Sequence, residues 1–145
     1  MSSGTDWKTD WNTFVTRLIE LIDSGASESD VSERFHGSDV HWRGDITDVK
    51  INEEFAPGIS LAMGTVRAPM ANDLFFNANH LFLPVPPDMA DSWKNCSVGD
   101  SVDFTATIPI NEGPRPAIKW VKARTKPEIG LRMQLINCKR VSGCA

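Results

Sequence analysis

Arg115, Lys119, Lys122, Arg124 and Lys126 recur within a stretch that also holds Trp120. Side chains of these types and spacing are suited to binding. Guanidinium and ammonium groups pair with phosphates, and an indole offers a flat apolar face on which a base can stack, the two requirements of a single-stranded nucleic-acid ligand. A plainer reading stays open. Lys and Arg are ordinary on a solvated hairpin, acids elsewhere could neutralise them, and Trp120 at alternating spacing could serve packing alone.

The charge distribution makes the segment stand out. The formal net charge is −4, which by itself argues against a strongly basic nucleic-acid binder. Residues 1–112 carry seven Lys and Arg against eighteen Asp and Glu, a net of −11, whereas residues 113–145 carry eight against one, a net of +7. The cations are therefore concentrated.

Other chemistry has little support. His36, His41 and His80 belong to no HExxH pair and there is no GxSxG elbow, so catalytic residues, an enzyme, a cofactor and a metal are not expected. Asp45 and Asp48 read as surface carboxylates. Asn77, Asn79 and His80 could converge on a ligand, although a polar row on a strand is more often a wet face. Cys96, Cys138 and Cys144 are odd in number and lack CxxC spacing, so the expectation is free thiols, not a disulfide framework or a zinc site. No run approaches the roughly 18 apolar residues of a membrane span, and no basic start precedes an apolar stretch. A cytoplasmic location without membrane contact is the expectation.

The elements that must position these residues follow from periodicity. At 145 residues the chain suits one domain. Residues 6–24 place Trp7, Trp11, Phe14, Val15, Leu18, Ile19 and Ile22 at helical spacing, with Thr5 as the expected cap and Gly25 as the stop. Ser27 opens a second short helix with Val31 and Phe35 on one side. At Val40 the period becomes 2: Val40, Trp42, Gly44 and Ile46 share one face and His41, Arg43, Asp45 and Thr47 the other, until a slip near Thr47-Asp48 predicts a bulge. Strands are also expected in ISLAMGT, LFFNANHLFLPV, SVDFTATI, AIKWVKA and LRMQLINCKRV, with a short helix in PPDMADSWKNC capped by Asp88. The tripeptide Arg43-Gly44-Asp45 thus falls inside a strand and is not expected to act as an adhesion signal, which works from a loop tip.

This order, together with Val40-x-Trp42-x-Gly44-x-Ile46, Val98-Gly99-Asp100-x-Val102-x-Phe104 and Leu131-x-Met133-x-Leu135-x-Asn137-Cys138, resembles the OB-fold of bacterial barrels related to anticodon-binding domains. The resemblance covers residues 38–142 and implies a five-stranded OB-like β-barrel there; the helical pair at 1–37 lies outside it and is expected to pack on the barrel, giving an α+β fold with a tail at 143–145. It implies ligand binding on the second and third strands, flanked by loops near 52–58 and 109–130. The second loop carries the basic segment, and Arg43 or Arg67 could add contacts from the barrel. An SH3-like barrel is the competing architecture. The competing function is a protein-interaction adaptor using the helix stripe from Trp7 to Ile22 and the barrel face, together with any apolar surface left uncovered.

Overall fold

The computed structural model describes residues 6–51, 57–63, 67–69, 74–110 and 116–144, with only the backbone at 67–69. Helix α1 spans Trp11–Asp23. It starts later than the sequence pattern implies because Asp10, not Thr5, caps it: its carboxylate accepts from the Thr13 N–H at 3.0 Å and from the Thr13 hydroxyl at 2.6 Å. Thr5 lies outside the described residues. Trp7 precedes the helix in a turn, yet its ring packs 4.8 Å from that of Phe35. Helix α2 spans Glu28–Phe35, capped by Ser27 as expected.

Strand β1, Asp39–Lys50, buries Val40, Trp42, Gly44 and Ile46 and exposes the alternate residues, as period 2 requires. It pairs antiparallel with β2, Gly58–Ala62, and with β6, Ser101–Thr107. The ladder to β2 slips between Ile46 and Asp48, which is the predicted bulge. A Cβ on Gly44 would lie 2.7 Å from the Met63 sulfur, so the inward face of β1 has no room for one there.

Two of the expected strands are broken. The run from Phe75 to Pro84 forms β4, Phe75–Asn77, and β5, His80–Pro84, while the run from Glu128 to Gly143 forms β8, Glu128–Met133, and β9, Ile136–Gly143. With β3, Arg67–Pro69, and β7, Ile118–Lys122, they complete two sheets: β5-β2-β1-β6-β9 and β3-β4-β8-β7. Strands β4 and β8 run parallel, Phe75 opposite Glu128 and Asn77 opposite Gly130. Beyond these pairs the two chains part, and β5 and β9 become opposite edges of the first sheet. Among the described residues the architecture is therefore α+β with two sheets, and hydrogen bonding does not close them into a single five-stranded barrel.

The core unites helices and sheets. Trp11, Phe14 and Leu18 of α1 are buried in this core, with the rings of Trp11 and Phe14 each 4.8 Å from that of Trp42 on β1, Trp11 edge to face. The indole N–H of Trp11 donates to the Ala78 carbonyl at 3.1 Å, and that of Trp42 to the Trp7 carbonyl at 3.0 Å. Residues Pro87–Trp93 form the expected short helix, of the 3-10 type. Asp88 sits in its first turn without a capping bond. Trp93 anchors it by donating to the Cys138 carbonyl at 3.1 Å.

The thiol expectation is also corrected. Cys96 and Cys144 form a disulfide with Cα atoms 4.9 Å apart, tying the end of β9 to the turn after the 3-10 helix. Cys138 remains a buried thiol.

Candidate functional site

The parting of β4-β5 from β8-β9 creates a cleft of about 680 Å³. One wall is Asn77, Asn79, His80 and Phe82, the other Lys119 and Arg132, and Ser60 and the exposed Asp48, which is ion-paired with Lys50, also line it. Asn77 stands where the strands part: its amide donates to the Glu128 carboxylate and its oxygen accepts from the Asn79 N–H at 3.1 Å. Asn77, Asn79 and His80 all line this one cavity.

The basic segment is a hairpin, not a loop. Strands β7 and β8 pair in register, Lys119 opposite Arg132 and Trp120 opposite Leu131. Strand β7 is the edge of its sheet, and edge strands leave backbone groups without a ladder partner. Helix α2 supplies the partners. The buried Ser32 hydroxyl accepts from the Ile118 N–H at 2.9 Å and donates to the Ile118 carbonyl at 3.1 Å, and the Glu28 carboxylate accepts from the Trp120 N–H at 2.9 Å. The hairpin is held in place by the helix, leaving one face toward the cleft.

Alternation along β7 divides the candidates. Lys119 points into the cleft, whereas Trp120 lies on the other face, half-buried against the core, so the expected stacking ring does not line the cavity. Lys122 shares the Trp120 face, and Arg124 and Lys126 are exposed in the hairpin turn, away from the cleft. Arg115 lies outside the described residues. Arg67 is placed by its backbone opposite Asn77, at the start of β3. Arg43 is exposed on β1 and engaged by Asp103 at 3.2 Å, so its charge is already answered.

Two residues take the places left open. Arg132 adds a second cation beside Lys119, and Phe82, 40% exposed, supplies the aromatic face. Gly58 holds that ring: an added Cβ would lie 2.3 Å from the Phe82 Cζ, so the ring rests over a backbone with no side chain. The signal for both was the parity of their strands. Leu81, Leu83 and Val85 are buried, which turns Phe82 outward, and Arg132 alternates with Leu131 and Met133.

Among the described residues no carboxylate lies within ion-pair distance of Lys119, Lys122, Arg124, Lys126 or Arg132, although the chain is acidic overall. The described residues bring no three His, Cys, Asp or Glu side chains together as a metal site would require. The apolar stripe of α1 is turned inward, with Trp11, Phe14, Val15 and Leu18 all buried. Among the described residues no helix is long and apolar enough to cross a membrane.

Comparison with protein-family models, curated proteins and solved structures found no match to this chain.

Proposed function

We propose that the chain is an OB-like binding module whose cleft between the parted strands receives single-stranded nucleic acid. The architecture supports this reading. A long first strand shared by two neighbours, a bulge that bends it, and parallel pairing of β4 with β8 at one end of a splayed seam are compatible with a partly open Greek-key barrel. The carrying observation is chemical: Lys119 and Arg132, without an ion-pair partner among the described residues, stand on one wall and the exposed Phe82 ring on the other. Phosphates would sit on the cations and a base on the ring, with Asn77 and His80 within the same cavity.

Fluorescence titration of the protein with short single-stranded oligonucleotides at two salt concentrations tests this. Counterion release makes binding through several phosphates weaken steeply with salt, by a slope of roughly 0.7 per phosphate for single strands. Saturable, salt-sensitive binding is expected. Absence of binding at low salt overturns the reading.

A further inference from the structure

A second cavity, of about 380 Å³, lies further along the same seam. Phe82 belongs to both cavities, so its ring separates the cleft from this smaller space. The remaining walls are mostly flat or compact apolar groups: Pro57, Pro84 and Pro86 on one side, Met89 and Ile136 on the other. Asp88 and Asn137 are the two polar side chains that line it, one from the 3-10 helix and one from β9. Both residues are exposed, and among the described residues neither side chain has a hydrogen bond or ion pair. The result is an apolar slot, large enough for one planar heterocycle, with a carboxylate and a carboxamide still to be satisfied.

From this arrangement we infer that the slot is a subsite for a single guanine base of the bound strand. The inference rests on the nucleic-acid reading of the adjoining cleft and deepens it by naming a base. A carboxylate accepts hydrogen bonds only, and it presents two oxygens side by side. Guanine is the common base with two adjacent donors on its pairing edge, N1–H and the N2 amino group, and beside them O6 accepts. Asp88 matches the donors, and the amide N–H of Asn137 matches O6. Adenine and cytosine offer the carboxylate one amino group, and thymine one imide N–H, so each would leave acceptor capacity unanswered. Acceptor capacity that a bound base covers without answering it is what gives polar sites their discrimination. The same carboxylate repels phosphate, so the base and not the backbone occupies the slot. Continuity through Phe82 lets one base enter while its neighbour stacks on the ring's cleft side and the phosphates reach Lys119 and Arg132.

The test compares three labelled strands of equal length by fluorescence anisotropy: oligothymidylate, the same strand with one central guanine, and the same strand with inosine there. Guanine is expected to bind about tenfold tighter than the all-thymine strand, in the range of a good bidentate base contact. Inosine, which lacks the N2 amino group, is expected to lose most of that gain. In Asp88→Asn the guanine preference is expected to fall to about twofold or less, with oligothymidylate binding retained, since Asp88 is exposed and makes no described bond. Equal affinity for all three strands in the unsubstituted protein, or a guanine preference that survives Asp88→Asn, overturns the subsite and leaves the cleft reading standing. No binding of any strand overturns both.

Discussion

Lys119 and Arg132 face each other across the β7-β8 ladder, both exposed and both on the wall of the larger cleft. Like charges directly opposed on neighbouring strands repel, at a cost of several tenths of a kcal/mol. An arrangement that is unfavourable in the free protein becomes favourable once an anion lies between the two groups. Stability and binding therefore move in opposite directions on neutralisation. Arg132→Gln is expected to leave unfolding stability unchanged or raise it by about 0.5 kcal/mol. The same change is expected to weaken oligonucleotide affinity several-fold at low salt and to lower the salt slope by roughly 0.7. Denaturant unfolding and the two-salt titration read the two effects separately, and a variant that binds normally removes Arg132 from the site.

Phe82 and Gly58 form the other half of the cleft. Phe82→Leu keeps an apolar side chain on an exposed face, so the fold should tolerate it, but it removes the flat surface. A loss of about 1–3 kcal/mol in binding is expected if one base stacks there. Gly58→Ala acts differently, because its Cβ would meet both the Phe82 ring at 2.3 Å and the Leu83 carbonyl oxygen at 2.5 Å. The backbone contact cannot rotate away. Stability should fall by about 1–3 kcal/mol alongside the loss of binding. Comparing the two variants by thermal unfolding distinguishes a displaced ring from a strained strand pair.

What the sequence disclosed, and what it withheld, follows from the range of the interactions. Alternation is local, so the two faces of β1, the bulge beyond Ile46 and the burial of Val102, Phe104 and Ala106 could all be read from neighbours in the chain. The breaks at Ala78-Asn79 and Gln134-Leu135 could not, because they depend on where β4 and β8 stop pairing and turn to different sheets. The basic segment is visible in the sequence, but which face of it meets the cleft and which meets α2 depends on the docking of Ser32 and Glu28 against β7, contacts distant in the chain. The disulfide left no local mark, since its cysteines are 48 residues apart and only the docking of β9 beside the 3-10 helix brings them together.

Trp11 ties α1 to the turn between β4 and β5, which also shapes one wall of the cleft. Its indole N–H serves the carbonyl of Ala78, a residue 1% exposed, so removal of the donor leaves that oxygen short of its partner. Trp11→Phe is expected to cost about 1–3 kcal/mol, and Trp11→Ala about 3–5 kcal/mol because a cavity is added. Denaturant titration measures both. If Trp11→Ala were nearly neutral, the inward packing of the helix stripe would be wrong, and the stripe would be free for a partner.

The Cys96–Cys144 bridge spans a 48-residue separation, and the chain-entropy relation for such a loop gives about 4 kcal/mol of stabilisation. Cys144→Ser should lower unfolding stability by about 2–4 kcal/mol, allowing for the smaller values that bridges commonly deliver. Dithiothreitol should produce the same drop in the unsubstituted protein and none in the variant. Equal stability with and without reductant would show that the two thiols are not bridged.

Cys138 gives stability a defined dependence on alkaline pH. Burial pushes its thiol up from 9.0 to about 12, because the anion would lose its hydration with nothing to replace it. Below the unfolded value both states keep the proton, and the group contributes no pH dependence. Between the unfolded and folded values the unfolded chain releases its proton while the folded one retains it. Stability contributed by the neutral thiol is therefore present at neutral pH and is lost as pH rises through this window, with a slope approaching about 1.4 kcal/mol per pH unit. The difference in unfolding free energy between the unsubstituted protein and Cys138→Ala should thus shrink between about pH 9 and about pH 12. The same burial should keep Cys138 unreactive toward a thiol reagent until denaturant is added. A difference that stays constant across that range, or rapid labelling of the native protein, would mean that the thiol meets water and that the docking of the 3-10 helix on β9 is looser than the Trp93 hydrogen bond to the Cys138 carbonyl implies.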